Sequence, residues 1–222
     1  MRHLSCSLLC IFFSLIVINA CQPVQVSDQV NASTEGITPP SNKENPYDYA
    51  GKMHNDALEA YFSSPVKISS ITGIVQFLNN YVSTHFNRSA RLKSTDLPSS
   101  DVVRKVLEDK ENDFKNVFFN AGVSSDAQIR LKEFYELIIR DKNNPSANYN
   151  DLHQRIASFE GRVLDDATLT PEDLRVVLVA SSVGRLSLHL WYERSLLESS
   201  VGGSGRKSFW AWLVIGICDA AG

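Results

Sequence analysis

Of the side chains able to move a proton, His54 is the best placed, on the apolar face of a helical pattern between Ala50 and Leu58. Asp48 and Glu59 lie within a turn or two of it. An imidazole in that setting can serve as a general base or a ligand. The competing possibility is a buried structural histidine. His85, His153 and His189 fall on three other helical segments. Bundles do build sites from facing helices, but spacing alone does not say whether these three converge. There is no His-Glu-x-x-His motif and no pair of cysteine ligands, so nothing in the pattern calls for zinc, and no metal or cofactor is expected. The pairs Glu108-Asp109, Asp165-Asp166 and Glu172-Asp173 lie at helix ends or on polar faces and read as solvated or capping charges. No Gly-x-Ser-x-Gly elbow occurs. Ser182-Val183-Gly184 lies inside a helix, where Ala180, Ser181 and Gly184 suit the close approach of a neighbouring helix.

Cys21 offers different chemistry. Arg2 and His3 precede an apolar run from Leu4 to Ile18 that stops at Asn19. Such a run is shorter than the roughly 20 apolar residues of a spanning helix and has the layout of a signal peptide over residues 1–20. Ile18-Asn19-Ala20-Cys21 resembles a bacterial lipobox, which would make Cys21 an acylated N-terminus. Ordinary secretion fits less well, because bulky Ile18 stands where a small residue is preferred. Cys6 and Cys10 would leave with the signal, and Cys218 would then have no disulfide partner. Without acylation, Cys21 and Cys218 could pair.

The last 22 residues carry the most concentrated apolar stretch of the mature chain. Gly202-Gly203-Ser204-Gly205 reads as a linker, followed by Arg206, Lys207 and then Phe209 to Ile217 with Trp210 and Trp212. Two readings stay open for Phe209, Trp210 and Trp212. They either fold back onto the bundle or contact a membrane interface or a protein partner, with Arg206 and Lys207 beside them. Leu197 with Gly202-Gly203 also faintly matches a double-glycine processing site, which would release a Trp-rich peptide from Ser204 onward.

Composition bounds the rest. Hydrophobic residues make up 43% and charged residues 21%, enough apolar material for one domain with appendages. The formal charge of -3 becomes -4 once Arg2 is removed, and it gives no electrostatic footprint for nucleic acid. Residues 21–44 are polar, with Gly36, Pro39 and Pro40, and read as a flexible tether. From residue 45 to about 200 the apolar spacing is helical throughout and predicts an all-α bundle of about six helices. The first starts at Asn45-Pro46 and runs to about Phe62, and the second runs from Ser69 or Ser70 to Phe86. The third starts at Ser99 or Ser100 and carries Val103 to Phe118. The fourth opens at Ser124 or Ser125, and the fifth follows Asn150 despite Gly161. The sixth starts at Thr170-Pro171 and runs toward Glu198. It carries Leu174, Val177, Leu178, Ser181, Arg185, Leu188 and Trp191, and is expected at the centre.

Taken together, Cys21, Asn45-Pro46-Tyr47-Asp48-Tyr49, His54-Asn55, Ser187 to Trp191, Phe209-Trp210-Ala211-Trp212 and Asp219-Ala220-Ala221-Gly222 give the chain a resemblance. It resembles a group of uncharacterised helical lipoproteins of Bacteroidetes-type bacteria with a Trp-rich, Ala/Gly-rich C-terminus. That resemblance covers most of the chain and transfers no activity. It implies a cell-envelope location, more periplasm-facing than surface-exposed, because Gln22-Pro23-Val24-Gln25 lacks the acidic residues associated with surface display. The expectation is a non-catalytic lipoprotein held to a membrane through Cys21, with an envelope protein as partner. The alternative is a hydrolase or small-molecule-binding bundle centred on His54.

Overall fold

The computed structural model describes residues 38–66, 68, 70–86, 123–140 and 148–200. The signal segment, Cys21, the expected third helix from Ser99 or Ser100, and the linker and aromatic tail after residue 200 lie outside the described residues. Within them are five helices: α1 (Asp48–Ser63), α2 (Ile71–Phe86), α3 (Ser125–Ile139), α4 (Tyr149–Leu164) and α5 (Pro171–Ser200). No strand occurs among the described residues, and the chain is all-α as its periodicity predicts.

The helix starts follow from local capping chemistry. Thr170 opens α5 by accepting from the Asp173 amide at 3.2 Å, while the Asp173 carboxylate accepts from the Thr170 amide at 3.2 Å and hydroxyl at 2.7 Å. This is a reciprocal capping box with aspartate in the glutamate position. The same carboxylate accepts from the Ser124 amide at 3.3 Å, so one side chain ties the starts of α3 and α5 together. Burial works against the Asp173 charge, but hydrogen bonds from Thr170 and Ser124 outweigh it and hold the carboxyl below its usual range. Ser124 caps α3 through the Ala127 amide, and Asn148 caps α4 through the Asp151 amide. Helix α4 therefore begins at Tyr149, just before the expected start.

Helix α1 starts two residues later than the Asn45-Pro46 signal predicts. The Asn45 side chain is drawn inward instead, its Oδ1 accepting from the Tyr47 amide and its Nδ2 donating to Glu160 and to the Leu178 carbonyl. A capping residue whose side chain is claimed by tertiary partners makes a turn rather than a cap.

Helix α5 is the central element. It packs against α1, α3 and α4, and it is buried on every side from Val176 to Leu188. Pro171 to Arg194 is long and apolar enough to cross a membrane, yet 83% of its apolar 18-residue window is buried inside the bundle, as expected of a core helix. Leu131, Phe134 and Ile138 of α3 and Leu152, Ile156, Phe159 and Val163 of α4 close over it. The Phe134 and Phe159 ring centroids lie 5.5 Å apart. Helix α2 docks on α1 through a separate cluster of Met53, Ala57, Ile74 and Leu78. A fully buried large apolar side chain contributes about 1.5–3 kcal/mol. Among the described residues the α3–α4–α5 cluster therefore carries most of the stability, and α2 is the least firmly held.

Gly161 sits in the last turns of α4, and a methyl group there would meet nothing within 4 Å. Gly161→Ala is expected to stabilise the chain by about 0.4–1 kcal/mol, because alanine loses less backbone freedom on folding. Thermal unfolding followed by circular dichroism should show a higher Tm.

Candidate functional site

The polar centre of the molecule is Arg185, whose side chain is fully buried in the middle of α5. Its position follows from the helical spacing that puts Leu178, Ser181, Arg185 and Leu188 on one stripe. A guanidinium taken out of water needs a counter-charge and full hydrogen bonding. Glu160 of α4, also fully buried, supplies the first, with Arg185 Nε donating to Oε2 at 3.1 Å and Nη2 to Oε1 at 3.4 Å. Asp48 in the first turn of α1 supplies the second through Nη2, and the Pro40 carbonyl accepts from Nη1.

Glu160 is equally well satisfied. Its Oε1 accepts from Asn45 Nδ2 at 2.8 Å and from the Ser181 hydroxyl at 2.9 Å. Its Oε2 accepts from Asn42 Nδ2 at 2.7 Å. Asn42 and Asn45 come from the lead-in and Ser181 from α5, so one arginine and one glutamate hold the lead-in segment, residues 38–47, against α1, α4 and α5. Residues 38–44, which composition assigns to the tether, are part of this network.

A second layer lies next to it. Tyr149, the first residue of α4, donates its hydroxyl to the Thr38 carbonyl at 3.0 Å, while Asn150 Oδ1 accepts from the Thr38 amide at 2.9 Å. Burial pushes the Tyr149 phenol well above its ordinary range. The Tyr149 ring lies between two histidines, 5.7 Å from His153 and 5.3 Å from His189, and stacks on Tyr192 at 5.1 Å. His153 is buried, and its Nε2 meets no hydrogen-bond partner among the described residues. His189 Nδ1 lies 3.4 Å from the Glu193 carboxylate, an ion pair only when the ring is protonated. Burial depresses both imidazoles, and the Arg185 charge lowers His153 further.

Of the sequence candidates His54, Asp48 and Glu59, Asp48 alone belongs to this centre. His54 is buried between α1 and α5, its Nδ1 3.1 Å from Asn55 Oδ1 and 3.2 Å from the Ser187 hydroxyl. Asp48 directs its carboxylate to Arg185 and the Asn42 amide. Glu59 is exposed, with its charge acting on Lys52. The three do not form one constellation. Of the scattered histidines, His153 and His189 converge, while His85 is exposed on α2 and stacks on Tyr81. Cys21, Arg206, Lys207, Phe209, Trp210 and Trp212 lie outside the described residues.

Fold and centre together define an all-α bundle wound on a buried central helix, with an internal arginine–glutamate–aspartate clamp on its lead-in. No family model, no curated protein and no solved structure matches the chain.

Proposed function

We propose that the chain is a lipid-anchored helical protein of the cell envelope, more periplasm-facing than surface-exposed, that acts as a binding or structural module. The observation that carries this reading is where the clamp sits. About 17 residues separate Cys21 from Thr38, a reach of at most roughly 60 Å when fully extended. A domain held by lipid on Cys21 is loaded at its lead-in. That lead-in is fixed at Thr38, Pro40, Asn42 and Asn45 by partners from α4 and α5. A buried polar lock at the point of attachment suits a tethered domain. Phe209, Trp210 and Trp212, flanked by Arg206 and Lys207, are the proposed contact with an envelope partner.

Intact mass and membrane fractionation in the native host test both parts. The mature wild-type chain is expected in the membrane fraction with a diacyl or triacyl mass on Cys21, and Cys21→Ser in the soluble fraction. Trp210→Ala with Trp212→Ala should keep the anchor and the unfolding midpoint but lose the co-purifying partner. A free thiol at Cys21 removes the anchor, and a bundle unfolded by the tryptophan changes makes the tail part of the core.

A further inference from the structure

The chain enters the bundle through a segment whose inward and outward positions alternate. Thr38, Pro40 and Asn42 are half-buried, while Pro39, Ser41, Lys43 and Glu44 are exposed. A period of two is that of an extended backbone laid against a surface. Every inward residue is tied to a helix. The Thr38 amide donates to Asn150 Oδ1, and its carbonyl accepts from the Tyr149 hydroxyl. The Pro40 carbonyl accepts from Arg185 and faces His153. Asn42 donates its side-chain amide to Glu160 and its backbone amide to Asp48.

These ties are polar, and residues 38–44 contribute no side chain to the apolar clusters of the described residues. Lifting the segment exposes little apolar surface, whereas parting the helices would sacrifice the core. The groups that would leave are also uncharged. Arg185 keeps both Glu160 and Asp48, so no buried charge loses its counter-charge, and water can take the vacated positions. Asn45 is held differently. It is 2% exposed, its Nδ2 donates to Glu160 and to the Leu178 carbonyl, and Tyr47 just beyond it packs on the apolar core. Freeing Asn45 would open the buried side of the clamp.

We propose that residues 38–44 form a peelable strap: opening starts at Thr38, runs through Pro40 and Asn42, and stops at Asn45 while the helices stay folded. A pull from the N-terminal side meets the ties in that order, because they follow one another along the chain. Peeling adds at most about 25 Å of free chain to the attachment. The use of that length as slack in a lipid tether rests on the anchor proposed above. The peel itself does not, and it is measurable on the chain without lipid.

Amide hydrogen exchange on the full, unacylated chain at one pH and in a series of urea concentrations, corrected for intrinsic exchange, tests the strap. The amides of Thr38, Asn42 and Glu44 report on residues 38–44, and those of Tyr47 and Asp48, both bonded to Asn45, report on the stop. Ile156 and Leu178, buried inside α4 and α5, report on the core. The strap amides are expected to be protected yet to open at least about tenfold more readily than Tyr47 and Asp48, with little dependence on urea. Ile156 and Leu178 should exchange only through the urea-dependent unfolding. Asn150→Ala, at an exposed position, removes the acceptor of the Thr38 amide. It should raise the opening of Asn42 about fivefold, the worth of one hydrogen bond, because Asn42 leaves after Thr38. Asn42→Ala should leave Thr38 nearly unchanged. Strap amides with no protection, or with the urea dependence of the core, overturn the strap, as does opening shared with Tyr47 and Asp48. Opening of Asn42 indifferent to Asn150→Ala overturns the order of the peel. A free thiol at Cys21 in the native host would remove the tether and leave these rates as they are.

Discussion

Arg185→Met is expected to destabilise the chain by about 3–5 kcal/mol, the range found when one partner of a buried ion pair is removed. Against a total stability of about 5–15 kcal/mol, that leaves little reserve. The loss would come less from the missing attraction than from what stays behind. Glu160 would keep its charge at a fully buried site, with only the neutral donors of Asn42, Asn45 and Ser181. Asp48 and the Pro40 carbonyl would lose the same donor. Arg185→Lys should recover only part of the stability, because one compact ammonium does not reproduce a planar fork shared among Glu160, Asp48 and Pro40. Arg185→Met combined with Glu160→Met should be less damaging than the sum of the single changes, since the fully buried Glu160 charge leaves with its partner and only the partly exposed Asp48 carboxylate stays behind. Urea unfolding of the four proteins gives the coupling directly. A cost below about 1 kcal/mol for Arg185→Met would mean that water reaches Glu160 and that the clamp is not closed.

How much of this centre the sequence discloses can be seen residue by residue. Helix α5 is legible from Thr170-Pro171-Glu172-Asp173 and its long apolar pattern, because capping and periodicity act within a few residues. Leu152, Ile156, Phe159 and Val163 are likewise legible as one buried face of α4. A signal for the clamp is also present in these patterns. Arg185 sits on the same stripe as Leu178 and Leu188, and Glu160 sits four residues after Ile156 and three before Val163. Two opposite charges on buried stripes of neighbouring helices are a candidate pair in their own right. What the pattern does not contain is the third side of the site. The lead-in is polar and rich in Asn and Pro, and composition reads it as tether, because its ties are to residues more than a hundred positions away. For the same reason Asn45 reads as a helix cap while its side chain belongs to Glu160. His54, Asp48 and Glu59 diverge through rotation about the helix. Asp48 turns toward Arg185, Glu59 stays exposed, and His54 meets Ser187.

The second large effect is expected at Gly51, where α1 crosses α5. A methyl group on Gly51 would lie 2.5 Å from the Ser182 carbonyl oxygen, 2.8 Å from its hydroxyl and 2.9 Å from its carbonyl carbon. Two of these three atoms are helix backbone, so no rotamer change clears them, and α1 and α5 must move apart. Overpacking of this kind costs about 1–3 kcal/mol and sometimes more. A clash with backbone belongs at the upper end, and the gain of about 1 kcal/mol from replacing glycine by alanine in a helix does not offset it. Gly51→Ala should therefore lower stability by about 2 kcal/mol in urea unfolding. Ser182→Ala should not rescue it, since it removes the hydroxyl and leaves the carbonyl in place. The two effects should also be linked. The Gly51 amide donates to Ser182 Oγ, Ser182 Oγ donates to the Asp48 carbonyl, and Asp48 holds Arg185. Pushing α1 outward loosens that chain, so Arg185→Met should cost less in the Gly51→Ala background than in the wild type. Strict additivity of the two changes would show that the helix crossing and the clamp are independent.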